Sequence, residues 1–181
     1  ALLLLAACLA VVAPVAAQSS PVPSPAASPI VSPAASTAPL AWTLVGQDGA
    51  HPRAREDHTL AVDPDGRAAY LFGGRGTDGT AFGELWRLDL VTDTWEKLRQ
   101  DGDEPRARFG HTATWVPGVG LVVWAGQRGT TFFDDLWTFD PAASRWKRVR
   151  SDGPRPRARY GSCAALGPDG RLWVSHGFTD D

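Results

Sequence analysis

The sequence lacks an excess of positive charge. Its 18 lysines and arginines are matched by 20 aspartates and glutamates, which gives a formal net charge of −2. Proteins that bind nucleic acids need a basic footprint that neutralises phosphates. We therefore expect no nucleic-acid partner.

Sequence motifs of several enzyme classes are also absent. No phosphate-binding glycine loop, nucleophile elbow or paired-cysteine motif occurs. The acidic pairs Asp134-Asp135 and Asp180-Asp181 have no further ligands at a suitable spacing, so exposed turns explain them better than a metal site does. The sequence thus predicts no cofactor and no metal, and it favours binding over catalysis.

Methionine is missing altogether and lysine occurs only twice, whereas the chain contains 8 tryptophans, 19 glycines and 15 prolines. This composition is typical of many short strands joined by tight turns and anchored by large aromatic rings. We expect an all-β fold. Because the chain starts without a methionine and stops within a repeating pattern, we expect it to be truncated at both ends.

Charge is absent from the first 41 residues. Residues 1–13 are apolar but too few to span a bilayer, and the small residues Val15-Ala16-Ala17 precede Gln18 as a signal peptidase site requires. Residues 1–17 are predicted to form a signal peptide without its positive start, which leaves no membrane span after cleavage. The chain would then be secreted, periplasmic or on the cell surface.

A second interpretation concerns Cys8. Leu5-Ala6-Ala7-Cys8 resembles the lipobox of bacterial lipoproteins, in which Cys8 would be lipidated and would anchor the chain. The apolar residues that follow Cys8 favour ordinary secretion instead. Residues 18–41 contain six prolines spaced by serine and alanine, and they are predicted to form a disordered linker.

From residue 42 onward the sequence repeats. The triplet Arg-Ala-Arg begins at Arg53, Arg106 and Arg157, and the pair Leu85-Trp86 recurs as Leu136-Trp137. Each unit of about 50 residues contains four short apolar segments. In the first unit the predicted strands are Thr59–Val62, 70–72, 85–90 and 95–98, and in the second they are 112–115, 121–124, 136–140 and 146–149.

Short connections between the third and fourth strands predict antiparallel neighbours, so each unit is a four-stranded meander. A single meander of this kind cannot bury both of its faces. We therefore expect radial stacking into propeller blades: two complete blades, an isolated fourth strand at 42–45 and the first two strands of a third blade.

The segments Phe72-Gly73-Gly74, Glu84 to Asp89 with Trp95, and Pro105 to His111 resemble the signature of Kelch-repeat β-propellers, a superfamily that includes galactose-oxidase-like proteins. The resemblance covers residues 42–181. It implies a partial propeller whose remaining blades belong to the same chain. Asp57, Ala125, Ser162 and His176 depart from the signature.

Residues that recur once per unit are interpreted as structural, since a catalytic residue has no reason to appear in every blade. The paired arginines of the triplet are expected to make a salt bridge or a carbonyl contact between blades. The structural residues are Gly73, Gly74, Gly126, Trp86, Trp95, Trp137, Trp146, His58 and His111.

The loops between the second and third strands, 75–83 and 127–135, do not copy each other, and variable loops at the channel mouth carry recognition in propellers. Candidate ligand contacts there are Arg75, Asp78, Arg128, Phe132 and Phe133. The expected function is an exported scaffold that binds a protein or a carbohydrate. The alternative is part of an oxidase-like or sugar-epimerase-like Kelch enzyme whose catalytic residues lie in other blades.

Overall fold

The structure is a computed structural model and describes residues 41–42 and 49–179. Every regular element in these residues is a β-strand. The predicted signal peptide, nearly all of the predicted linker, Cys8 and most of the predicted strand at 42–45 lie outside the described residues.

The first blade is a four-stranded antiparallel sheet. It consists of β1 (Thr59–Val62), β2 (Ala68–Phe72), β3 (Leu85–Asp89) and β4 (Thr94–Lys97), paired in chain order. Asp89 closes the last hairpin, because its carboxylate accepts hydrogen bonds from the backbone N–H groups of Val91 and Thr92. The strands match the predicted ones to within two residues at each end.

The second blade repeats this arrangement with one addition. Its sheet contains β5 (Thr112–Val116) and β6 (Gly120–Trp124), and after them β9 (Leu136–Asp140) and β10 (Arg145–Val149). Between β6 and β9 a two-stranded hairpin forms from β7 (Gln127–Arg128) and β8 (Thr131–Phe132). The third unit contributes the pair β11 (Cys163–Leu166) and β12 (Leu172–Ser175).

The first strand of each unit lies beside the first strand of the next, so β5 contacts both β1 and β11. The sheets therefore stand side by side with their first strands together, as propeller blades do. Between blades 1 and 2 lies the core, in which Phe72 and Leu85 from blade 1 meet Trp137 and Phe139 from blade 2. In the described part of the chain the blades do not close into a ring.

Trp146 on β10 bridges these two blades. Its ring lies 5.1 Å from that of Phe72 and 5.0 Å from that of Phe139, measured between centroids, and its indole N–H donates to Gln100 Oε1 at 2.8 Å. The ring packs against the blade that precedes it in the chain. The reason is that Phe139 and Trp146 share the face of blade 2 that looks back toward blade 1.

Main-chain hydrogen bonds join neighbouring blades in the same way twice. Between blades 1 and 2, Gly74 N–H donates to Arg108 O (2.9 Å) and Gly110 N–H donates to Asp57 O (2.9 Å). Between blades 2 and 3, Gly126 N–H donates to Arg159 O (2.8 Å). The backbone therefore sets the spacing of the blades as well as their internal pairing.

The glycines at the end of the second strand make this approach possible. A Cβ on Gly73 would lie 2.5 Å from Arg108 O and 2.8 Å from the imidazole of His111, and a Cβ on Gly126 would lie 2.8 Å from His111 Cβ. Gly74 is equally enclosed and, like Gly126, has a positive φ. These positions exclude larger residues for two reasons, backbone conformation and space.

Candidate functional site

The connections that carry the candidate residues leave the sheets at one end of the blades. Strands alternate in direction, so the loop after the second strand and the connection from the fourth strand to the next blade emerge together. We call this set the loop end; it comprises 75–83, 99–110, 127–135 and 150–161.

The last arginine of each triplet has a structural role. Arg108 is fully buried, and its guanidinium donates to Arg106 O (2.9 Å) and Ala125 O (2.8 Å). The same group forms a two-pronged ion pair with Asp135, at 2.6 and 3.0 Å. All of these partners lie in the connection to blade 2 or in blade 2 itself.

The first blade has the same arrangement. Arg55 donates to Arg53 O (3.0 Å) and Gly73 O (2.9 Å) and pairs with Glu84. The expected salt bridge and carbonyl contact are therefore present, but they fasten one blade internally and do not join two blades. Arg55 contacts one carboxylate oxygen of Glu84, and Lys97 pairs with the other at 2.8 Å. Charge-assisted pairs of this kind are stronger than hydrogen bonds between neutral groups.

The carboxylates of these pairs are held in the ionised form. Burial opposes ionisation of Glu84, but hydrogen bonds from Lys97 and Arg55 outweigh it and lower the pKa to about 2. Burial likewise opposes ionisation of Asp135, and hydrogen bonds from Arg108 lower its pKa below the ordinary range. Neither group is suited to proton transfer near neutral pH.

Of the two histidines predicted to be structural, His111 lies at the junction between blades 1 and 2, whereas His58 is exposed. His111 is buried, with its Nε2 2.8 Å from Thr59 Oγ1 of blade 1 and its ring edge against Phe72. Burial, together with the charge of Arg108, lowers the pKa of His111 to about 3. Burial and the charge of Arg55 also lower the pKa of His58.

Of the predicted ligand contacts, Arg75 and Asp78 are engaged within the protein. The Arg75 guanidinium pairs with Glu56 and Asp57, at 3.0 and 3.1 Å, and lies 4.7 Å from the centre of the Phe109 ring. The Asp78 carboxylate accepts hydrogen bonds from the N–H and hydroxyl of Thr80. Both side chains hold the loop end in shape.

The two predicted phenylalanines pack at blade junctions. The Phe132 ring lies 5.5 Å from the ring of Tyr160, which belongs to the connection to blade 3. Phe133 is buried, and the Arg108 guanidinium lies 4.3 Å from its ring centre. Phe133 is thus enclosed, whereas Phe132 is half-buried and lines a neighbouring cleft.

Arg128, the remaining candidate, is exposed and lines a cleft of about 710 Å³ between the loops of blades 1 and 2. Arg106 lines the same cleft. A structural role was predicted for it because the triplet repeats. A signal for it exists in the sequence: each triplet contains two arginines, whereas each blade supplies one carboxylate, Glu84 or Asp135, at the matching position. The cleft is lined by Gly79, Thr80, Ala81, Arg106, Arg128, Gly129, Thr130, Thr131 and Phe133.

The tryptophans predicted to be structural lie within or beside the sheets. Trp86 and Trp137 are buried, and the indole N–H of Trp137 donates to Asp135 Oδ2 at 2.7 Å. Trp95 is half-buried and borders a smaller cleft with His58.

Among the residues that the structure describes, no three histidine, cysteine, aspartate or glutamate side chains converge as metal ligands would. The same residues include no helix with the length and apolar character needed to cross a bilayer.

The repeated meanders, the adjacent first strands and the shared junction define the chain as part of a β-propeller with Kelch-type blades. A family model described as the KLHDC2/KLHL20/DRC7 Kelch-repeats domain matches residues 34–181, and the chain belongs to this family of Kelch-repeat proteins. Kelch repeats are typical of protein-interaction scaffolds.

The chain is similar to proteins from several eukaryotes. It is 34% identical over 123 residues to Tip elongation aberrant protein 1 of Schizosaccharomyces pombe, covering 66% of this chain and 10% of that protein. It is 30% identical over 122 residues to Acyl-CoA-binding domain-containing protein 5 of Arabidopsis thaliana (66% and 18%), and 32% identical over 120 residues to Adagio-like protein 3 of Oryza sativa subsp. japonica (64% and 19%). The chain therefore spans less than a fifth of the length of each of these relatives.

Proposed function

We propose that this chain is an exported Kelch interaction module that binds a protein partner at the loop end of its blades. The observation that carries the proposal is the cleft between loops 75–83 and 127–135. Its side chains differ from blade to blade, whereas the strands repeat and, like Arg55 and Arg108, are committed to packing.

The burial and packing of the aromatic rings favour a protein partner over a carbohydrate. Carbohydrate sites present aromatic faces on which a sugar ring can stack. Phe133 at the base of the cleft is buried, and Phe132 is packed against Tyr160. The other groups that line the cleft are mainly hydroxyl, backbone and guanidinium groups, and these are typical of the polar rim of a protein interface.

Export is supported by the uncharged first 41 residues, with their apolar start and the small residues before Gln18. If the full chain is expressed with this leader, the processed product should begin at Gln18 and be recovered outside the cytoplasm. A mature end at a lipidated Cys8 would replace secretion with anchoring. An unprocessed product in the cytosol would contradict export.

The binding proposal is tested with a photo-crosslinking amino acid at Thr130, inside the cleft, in cells that make the full chain. The matched control position is Val119, an exposed residue in the turn between β5 and β6, at the opposite end of blade 2. We expect protein adducts from position 130 and none from position 119. Equal adducts from both positions, no adduct from position 130, or adducts that contain only sugar would contradict the proposal.

A further inference from the structure

Most of the cations on the described part of the loop end have partners. Arg75 pairs with two carboxylates, Arg99 pairs with Asp101, and Arg108 pairs with Asp135. Arg106, Arg128, Arg150 and Arg155 differ, since no carboxylate of a described residue lies within 4.0 Å of their guanidinium groups. Of these four, Arg106 and Arg128 line one cleft together.

The cleft itself has a uniform electrostatic character. Two guanidinium groups and the hydroxyls of Thr130 and Thr131 line it, together with Thr80, whose hydroxyl donates to Asp78 Oδ2 at 2.9 Å. No aspartate or glutamate lines the cleft itself, and Asp103, Glu104 and Asp134 line the neighbouring cleft, to which Arg106 also contributes. A positive pocket with donors and no acidic lining favours an anionic group.

Both arginines stand on backbone that is fixed in place. The carbonyl of Arg106 accepts the hydrogen bond from buried Arg108, and Arg128 lies on β7, which pairs with β8 across the hairpin. The hairpin is further anchored by Phe133, whose N–H donates to Gly126 O at 2.9 Å. A ligand therefore does not have to order the loops as it binds, which lowers the entropic cost of binding.

We propose that this cleft binds a carboxylate-bearing segment of the partner protein, with Arg106 and Arg128 as its two cationic contacts. This inference rests on the proposed function and names the chemistry of the partner. A guanidinium presents parallel donors whose spacing matches the two oxygens of a carboxylate. Threonine hydroxyls and glycine backbone at the cleft wall can hydrogen-bond to the peptide on either side of the acidic side chain.

The test uses the full chain and a fluorescein-labelled hexaglutamate peptide, with binding measured by fluorescence anisotropy. Hexaglutamine is the uncharged control peptide. We expect hexaglutamate to bind and hexaglutamine not to, and we expect Arg106→Ala and Arg128→Ala each to weaken binding about tenfold, because a hydrogen bond to a charged group is at stake. Affinity should also fall as salt is raised.

Lys147→Ala is the matched control variant. Lys147 is an exposed cation that lines a separate cleft with Val119 and Asp140, at the other end of blade 2. The Lys147→Ala substitution also removes one positive charge. We expect the affinity of this variant for hexaglutamate to remain within about twofold of the parent's. Equal melting temperatures of the three variants would show that folding is unaffected, since all three side chains are exposed.

Three results would overturn this inference: hexaglutamate that binds the arginine variants as well as the parent, hexaglutamine that binds equally well, or inorganic phosphate that displaces hexaglutamate at an equal concentration of charge. The third would assign the cleft to phosphate. If hexaglutamate fails to bind but position 130 still crosslinks to a protein, the loop end binds proteins by other chemistry and only this inference falls. If hexaglutamate binds while no protein crosslinks there, the proposed function falls instead.

Discussion

At the scale of single residues, His111 illustrates how a repeat residue joins two blades. Its imidazole is enclosed by the edge of Phe72, the Thr59 hydroxyl and the backbone of Gly73, all from blade 1. Burial of the imidazole, and secondarily the charge of Arg108, lowers the pKa of His111 and favours the neutral ring. We therefore expect the stability of the junction between the blades to depend on pH.

We expect mild acid to destabilise the fold. The pKa of His111 is about 3 in the folded state, well below its ordinary value near 6.5, so the unfolded chain binds the proton first. The contribution of the neutral ring to stability is complete above pH 6.5 and is lost as the pH falls toward 3, at up to about 1.4 kcal/mol per pH unit. Urea unfolding between pH 7 and pH 5 measures this slope.

His111→Gln is the control for this prediction. It keeps a hydrogen-bonding side chain but cannot titrate, so the dependence on pH should become shallower even if stability at pH 7 is lower. The remaining slope belongs to His58, whose pKa is also lowered. The acidic groups Glu84 and Asp135 add little to the slope above pH 5, because folding lowers their pKa values from ordinary values that already lie below 5. An unchanged slope in the variant would refute the assignment.

The departures from the Kelch signature at Ala125 and Ser162 are visible in the sequence, but the sequence does not show that the two positions are in contact. Gly73 lies against His111 of the next blade, and by repeat position Ala125 corresponds to Gly73 as Ser162 corresponds to His111. A smaller residue at 162 removes the imidazole that excludes a Cβ, although Ala125 still carries a positive φ of 62°. A contact that crosses the boundary between repeats is visible only once the blades are placed side by side.

At the scale of elements, the first two Arg-Ala-Arg triplets each combine an arginine with an enclosed side chain and an arginine with an exposed one. Arg55 and Arg108 fasten the end of the second strand to the start of the third, whereas Arg53 and Arg106 face the solvent. The repetition in sequence predicted a structural role for both. The two arginines of a triplet differ because each blade supplies only one carboxylate at the matching position, and the second arginine of the triplet pairs with it.

We expect Arg108→Ala and Arg106→Ala to differ sharply in stability. Removing the Arg108 guanidinium leaves Asp135 partly buried without its partner and Ala125 O without its donor, and such losses typically cost about 3–5 kcal/mol. Arg106→Ala should remain within about 0.5 kcal/mol of the parent, as surface changes do. Chemical unfolding of both variants measures the difference, and similar losses in the two would contradict the division of roles.

The strands were predictable because each one alternates or runs apolar between glycine-rich turns. The hairpin of β7 and β8 was not, since two-residue strands are too short to show a period. The candidate site was predicted only in part for a related reason. Arg75, Asp78, Phe132 and Phe133 are the residue types expected of a binding loop, and their contacts with Glu56, Thr80, Tyr160 and Arg108 arise from tertiary structure.

At the scale of the whole molecule, hydrogen bonds between blades make the array cooperative. The amide of Gly74 in blade 1 and that of Gly110 in the connection to blade 2 both donate across the junction, at 2.9 Å. The shared core places Phe72 of blade 1 against Trp146 of blade 2. Neither blade can open alone without exposing that core and breaking those bonds.

Native-state hydrogen exchange tests this coupling. We expect the amides of Gly74 and Gly110 to be protected to the same degree as those in β2 and β6, and to lose protection together with them when the junction is weakened. Gly73→Ala is the perturbation, because the added methyl meets Arg108 O at a positive φ of 63°, which costs about 1–2 kcal/mol in backbone conformation alone. Ala125→Gly, at the equivalent position of blade 2, is the matched control and should leave protection in blade 1 unchanged. Loss of protection confined to blade 1 in Gly73→Ala would mean that the blades open independently and that the junction carries little of the stability.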